Sequence, residues 1–336
     1  MVKKAGLFPW PTESLAKGVQ HTLTSSTSSG EAYIDTKPVV RSLSLFLALG
    51  LFCTQISTYG WGNLGHTEIN LNAARKIPSS MPAFLRTRAA MAGIAYLGPE
   101  PDRWKGMDEH ALNSAQYPDH EIDLERIQGL GELPNGRYEF YKLLYEKRAA
   151  TTTDPDYYLP EKVGLLPYAA EEVFERLRVA FRNYRALKAA KQPTDPVEQD
   201  AIFYAGWLGH YAADGSQPLH TTVNYNGWVE ANPQGFTTAP GIHSRFESDF
   251  VNANIKASDF ASSISPPHEI MDTFKDFQQY LWDSHALVPK LYELDKAKGF
   301  EGAGSPESLK FVEERMATGS QKLVDLWYTA WLQSAR

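Results

Sequence analysis

Twice in this chain a histidine stands four residues before a carboxylate: His210 with Asp214 in Gly209-His210-Tyr211-Ala212-Ala213-Asp214-Gly215-Ser216-Gln217-Pro218-Leu219-His220, and His243 with Glu247 in Gly241-Ile242-His243-Ser244-Arg245-Phe246-Glu247. On a helix that spacing sends both side chains off one face about a turn apart, within reach of a single metal ion. Phe203, Trp207 and Tyr211 repeat at the same interval and predict a helix over 199–214, with Gly215 and Pro218 set to end it. His220 follows in a rigid Gln-Pro turn, placed to serve a second ion. One such pair alone is more often a surface ion pair or a hydrogen-bonded core histidine. Two pairs together point to more than one metal.

Further ligand-type residues lie toward the amino terminus. Trp61-Gly62-Asn63-Leu64-Gly65-His66 offers an imidazole at His66 and, if the chain is cut before Trp61, a free amine that chelates with its own carbonyl oxygen. An α-amino group has a pKa of about 8, so it loses its proton easily to zinc. Pro99 and Pro101 bracket Glu100 and predict a stiff loop holding Asp102, a candidate ligand or helix cap, with Lys105 as a phosphate contact. His120 is another candidate, and Asp123 is placed to orient a cation such as Lys105 or to support a ligand histidine. His21, His110, His268 and His285 have no partner at ligand spacing and are expected on the surface or in the core.

The elements that must position these groups read as helices throughout: one beginning near His66, others at about 82–96, 137–149, 161–190, 267–299 and 306–334. No strand pattern persists, so an all-α, multi-helix domain is expected, with ligands on helices and connecting loops. Residues 221–241, rich in Asn, Gly and Pro, predict a long loop rimming the site, with Tyr225, Trp228 and Phe236 either on substrate or covering the core. The 336 residues suffice for a sizeable core, and no repeat of fixed period occurs.

Residues 1–60 do not share that patterning. They are polar and Ser/Thr-rich up to Pro38, then Arg41 precedes an apolar run over 43–53, of signal-peptide length and too short to span a bilayer comfortably. Thr58 and Gly60 are the small residues a signal peptidase reads when it cuts before Trp61. The expectation is a secreted or periplasmic mature chain, 61–336, forming one catalytic domain without an integral membrane segment. The long stretch before Arg41 suggests a start codon assigned too far upstream, near Val39 or Val40. Cys53 is the only cysteine and falls in the leader, leaving the mature chain neither disulfides nor thiolate ligands. Residues 1–60 hold 5 of 33 basic and 3 of 40 acidic side chains, so the remainder carries about −9. No basic stripe for duplex DNA appears, and no stable protein partner is implied.

Taken in order, Trp61 with His66, Asp102, His120, His210 with Asp214, His220, and His243 with Glu247 resemble the zinc-dependent phospholipase C and single-strand-specific zinc nuclease superfamily. The resemblance extends to the Trp-Gly start, the Gln-Pro-Leu-His element and a Trp-rich last helix. It implies an all-α fold with three zinc ions: the first held by Asp102, His120, His210 and Asp214, the second by His220, His243 and Glu247, the third by the Trp61 amine and carbonyl with His66, bridged by Asp214. It further implies phosphodiester hydrolysis by a metal-bridging hydroxide. In that chemistry Lys105 stabilises developing charge, Asp102 is available to accept a proton, and Asp123 supports Lys105.

Substrate divides the resemblance. Leu64 and Arg103 stand where the choline-preferring phospholipases carry an acid and an aromatic, and Glu121 stands where the nucleases carry a base-stacking aromatic. Lys105 with Asp123 resembles the nuclease phosphate pair, whereas Glu247 resembles the lipases. The expected function is phospholipase C-like hydrolysis of phospholipids; the alternatives are a zinc nuclease (endonuclease/3'-nucleotidase) on single-stranded nucleic acid and a zinc-binding helical protein without turnover.

Overall fold

In the computed structural model, which describes residues 61–105 and 108–336, every regular element is a helix. Helices α1 (Gly62–Arg75), α2 (Arg88–Leu97), α3 (Glu100–Lys105) and α4 (His110–Gln116) lead into α5 (Arg137–Ala150). The long pair α6 (Leu166–Ala189) and α7 (Asp195–Ser216) follows, then α8 (Thr273–His285), α9 (Val288–Lys296) and α10 (Pro306–Gln333). Among the described residues, extended pairing is confined to two isolated bridges, Ile122 with Gly164 and Tyr225 with Gly227. The all-α expectation is met, and the described residues lie in one compact unit. The leader, its apolar run and the cut before Trp61 fall outside the described residues. No helix among the described residues is long and apolar enough to cross a membrane.

The core follows from apolar spacing. Helix α6 buries Val173, Phe174, Leu177 and Phe181 on one stripe, and α10 buries Val312, Met316, Leu323 and Trp327. Only 190–194 join α6 to α7, so the two run antiparallel and pack along their lengths. Helix α7 is the central element, packed by α1, α2, α6, α8 and α10. Indole N–H groups tie neighbours to its carbonyls: Trp327 donates to Ala205 and Trp61 to Ala213. Close approach on α7 requires glycine. A Cβ at Gly209 would lie 1.9 Å from Asn70 Oδ1 on α1, and one at Gly215 would lie 2.7 Å from the Tyr280 ring on α8.

Several boundaries differ from the sequence expectation. Helix α7 begins earlier, at Asp195, and runs through Gly215 to Ser216, because Tyr280 packs on that glycine and Ser284 donates to its carbonyl. The chain turns instead at Gln217, whose side chain accepts the Leu219 N–H and caps the 3-10 turn Pro218–Thr221. Pro99 and Pro101 do not stiffen a loop. They sit at the start of a helix, where proline's missing N–H has no partner to lose, and Asp102 is therefore helical. The predicted 82–96 helix is a 3-10 turn (Ala83–Arg86) and α2, separated where Thr87 caps the Ala90 N–H.

Candidate metal centre

The last two turns of α7 carry His210 and Asp214 into the middle of the molecule, where neither is exposed to solvent. Four imidazoles surround Asp214. His66 from α1 approaches it at 3.4 Å, His120 at 3.3 Å, His210 at 3.1 Å and His220 at 3.8 Å. Asp102, from α3, lies 3.5 Å from His120, 3.7 Å from His66 and 3.8 Å from His210. Next to this group, His243 and Glu247 meet at 2.8 Å, and His220 reaches Glu247 at 3.6 Å. The His243–Glu247 pair spans a change of winding, from an α turn (Ile242–Ser244) to a π turn (Arg245–Phe250). Such turns widen a helix locally and recur at functional positions.

Three of the histidines have their tautomer set by the backbone. His210 Nδ1–H donates to the Gly98 carbonyl at 2.9 Å, His220 Nδ1–H to the His120 carbonyl at 2.6 Å, and His243 Nδ1–H to the Tyr225 carbonyl at 3.1 Å. Each therefore presents the lone pair of Nε2 inward, the usual support of a metal-bound imidazole. Burial pushes His66 well below the ordinary imidazole range, and burial with Lys105 does the same to His120, so both keep a neutral, ligating ring. Burial acts to raise the Asp214 pKa, but the neighbouring His210 and His220 rings hold it well below the carboxylate range. Burial likewise opposes ionisation of Glu247, and His243 and His220 outweigh it. His220 moves the other way: burial lowers it, yet Asp214 and Glu247 lift it to about 9, a proton that a bound cation would displace.

The donor set fits divalent metal. Among the described residues, three groups have ligating atoms within 4.8 Å of one another: His66, Asp102 and His210; His120, His210 and Asp214; and His220, His243 and Glu247. Buried atoms in these groups have no hydrogen-bond partner, including both oxygens of Asp214, Oδ1 of Asp102, Oε1 of Glu247 and Nε2 of His66, His120 and His220. An unsatisfied buried polar atom costs about 1–3 kcal/mol, more when charged. So many converging on one point are explained by cations that bond to all of them. Imidazole with carboxylate, and no thiolate, suits zinc among the common ions.

Trp61 is buried with its indole donating to Ala213 and Ser216, beside the centre, and its carbonyl accepts the Gly65 N–H. Lys105 lies 3.4 Å from Asp102 and 5.8 Å from the Tyr117 ring centroid. Asp123 forms an ion pair with Arg126, at 2.7 Å, three residues on, and burial lifts its carboxyl to about 7. The cation that it orients is thus Arg126, supplied by the next turn of chain.

The centre also uses residues that spacing could not identify. Gln217 donates from Nε2 to Glu247 at 2.9 Å while its Oε1 caps the turn before His220. Glu125 accepts from Thr222 and, at 3.1 Å, from the Val223 N–H, and His285 Nδ1–H donates to the Thr221 carbonyl at 2.8 Å. These bonds pin both sides of His220 and give His285 a positioning role. His110 is exposed, and His268 pairs with Asp325 at 3.2 Å, away from the centre. Glu121 sits between His120 and His220: its carbonyl accepts the Leu166 N–H at 3.2 Å, and the next N–H donates to the His220 carbonyl at 2.9 Å. Burial raises its carboxyl, which is also within electrostatic reach of His220, Lys105 and His243.

No family model matches the chain, and no curated protein sequence does. Among solved structures, a match is the crystal structure of Clostridium perfringens alpha-toxin from an avian strain, with 14% identity and a TM-score of 0.37, covering 82% of this chain and 63% of that one. The chain thus spans less than two thirds of that chain's length. The likeness is too loose to transfer the role of any residue.

Proposed function

We propose that this chain is a zinc-dependent phosphodiester hydrolase with phospholipase C-like action on phospholipids. The observation that carries the reading is the convergence of unpartnered, buried ligating atoms around Asp214 and Glu247. Asp102, His120, His210 and Asp214 would hold one zinc, and His220, His243 and Glu247 a second. His66 would hold a third with the Trp61 amine and carbonyl, once the leader is removed from a secreted or periplasmic chain. Bound zinc supplies a water that ionises near neutral pH and positive charge to receive a phosphate.

The chain's own residues do the rest. Lys105, oriented by Asp102, binds a non-bridging phosphate oxygen and stabilises the charge that grows there. Asp102 is placed to take up a proton near the attacked phosphorus. Asp123 acts at one remove, fixing Arg126 and the segment that joins His120 to Glu125. Glu121 favours phospholipid over nucleic acid. A carboxylate beside the centre repels a polyanionic strand but pairs with the ammonium of a choline or ethanolamine headgroup. Tyr225, whose hydroxyl is raised by burial and then by Glu121 and Asp123, flanks the same side.

The test is a parallel assay of zinc-loaded protein on phosphatidylcholine, phosphatidylethanolamine and single-stranded nucleic acid, repeated with Glu121→Gln. Diacylglycerol release is expected from both lipids, and the substitution is expected to lower kcat/KM on them by about tenfold, the value of one charge-assisted contact. Nucleotide release without diacylglycerol would make the protein a zinc nuclease. No turnover on any phosphoester would leave a zinc-binding helical protein and overturn the enzyme reading.

A further inference from the structure

Helix α6 carries a charge pattern that its amphipathic spacing does not require. Between Glu175 and Asp195 there are six Lys and Arg residues and no acid, in a chain of net charge −7. The chain-wide acidic balance conceals this run. The first two of the six have carboxylate partners, Arg176 with Glu172 at 3.9 Å and Arg178 with Glu175 at 2.7 Å. The next three have none within ion-pairing distance among the described residues, and they share a cleft of about 730 Å³ with Tyr184, Trp331 and Ser334. No Asp or Glu lines it.

Arg185 is built into this cleft. Its guanidinium lies 3.3 Å from the centroid of the Trp331 ring, Nε donates to Ser334 Oγ at 2.8 Å, and Nη2 donates to the Trp331 carbonyl at 2.9 Å. All three partners are neutral, so the cation is fixed in place and its charge is left uncompensated. Lys188 is steered by Tyr184, donating to its hydroxyl at 3.3 Å, and Arg182 has no hydrogen-bond or ion-pair partner among the described residues. Attraction to the helix dipole explains a cation only within the last turn, which accounts for Lys188 and not for Arg182 or Arg185. Like charges on one helix face repel. Their retention together without an acid is the arrangement of an anion site.

We propose that Arg182, Arg185 and Lys188 form a phosphate-binding cleft separate from the metal centre. The guanidinium forks suit tetrahedral oxyanions, and the aromatic faces are already occupied by Arg185 and Lys188, so the recognised group is the phosphate itself. At about 1.5 Å of rise per residue, Arg185 lies roughly 28 Å along α6 from Leu166, whose N–H bonds the Glu121 carbonyl next to His120. One phosphate cannot occupy both places.

Calorimetric titration of the zinc-loaded full chain with inorganic phosphate tests this, with co-sedimentation on phosphatidylglycerol and phosphatidylcholine vesicles as a second arm. The Arg182→Gln/Lys188→Gln double variant changes only exposed side chains, and Arg185→Lys keeps the charge while losing the fork. The cleft's binding is expected to weaken at least roughly tenfold in the double variant and to persist in His210→Ala, since each charge-assisted contact contributes about a factor of ten. Binding of free phosphate alone identifies a small phosphorylated ligand; binding to phosphatidylglycerol but not phosphatidylcholine vesicles identifies a lipid headgroup. Either supports the site. Equal binding of phosphate and vesicles by the parent and double variant, or no binding by the parent beyond what His210→Ala abolishes, overturns it. Loss of hydrolysis by the parent leaves this test untouched.

Discussion

Treatment with a strong chelator is expected to lower the melting temperature by on the order of 10 °C, and zinc, but not magnesium, is expected to restore it. A ligand present at a thousand times its dissociation constant stabilises the folded state by about 4 kcal/mol. For a domain of this size each kcal/mol moves the midpoint by roughly 2–4 °C. The physical source is plain in the centre itself. Asp102, Asp214 and Glu247 bring three carboxylates into a space where several ring nitrogens and carboxylate oxygens have no hydrogen bond. Without cations those groups must be desolvated and paired with one another, at a cost the fold then bears alone. Imidazole-rich ligation selects zinc over magnesium, which prefers oxygen. Differential scanning calorimetry on chelated, zinc-restored and magnesium-supplemented protein makes the comparison. An unchanged midpoint would mean that the centre holds no tightly bound metal.

The second large effect is expected from Asp214→Asn: loss of hydrolysis by on the order of a thousandfold, the scale seen when a main electrostatic element of a hydrolytic site is removed. Asp214 is the hub, with four imidazoles within 3.8 Å and no exposure. The amide keeps its shape but removes the charge that these rings and their ions share. Metal content, measured by mass spectrometry on the purified protein, is expected to fall by at least one ion per chain alongside activity. His268→Ala, an exposed side chain paired with Asp325 away from the centre, is the control and should change neither. Full activity in Asp214→Asn would remove Asp214 from the chemistry.

What the sequence revealed, and what it hid, follows from how local each signal is. The pairs His210–Asp214 and His243–Glu247 are legible because four-residue spacing carries its own geometry, and the structure brings both together with His66, Asp102, His120 and His220. Proline misled at Pro99 and Pro101, since a residue that ends one helix is equally suited to starting another. Gly215 misled for the converse reason: it is needed for contact with Tyr280 and not for termination. The widened turn under Glu247 has no sequence signature at all. For Asp123 the sequence offers a cation such as Lys105 or a ligand histidine without choosing between them, and the structure adds Arg126, three residues on. Gln217, Glu125 and His285 could not be read as supports of His220 and Glu247, because their partners lie 30, 97 and 64 residues away in the chain. The basic half of α6 passed as scaffold because apolar periodicity describes one face of a helix and says nothing of the other.

The central claim, that this cluster is a zinc centre, is tested most directly by anomalous diffraction at the zinc edge from crystals of the purified chain. The account predicts peaks between His120, His210 and Asp214 and between His220, His243 and Glu247, with a third beside His66 when the chain begins at Trp61. Crystals of zinc-treated protein with no anomalous peak at these residues would contradict it.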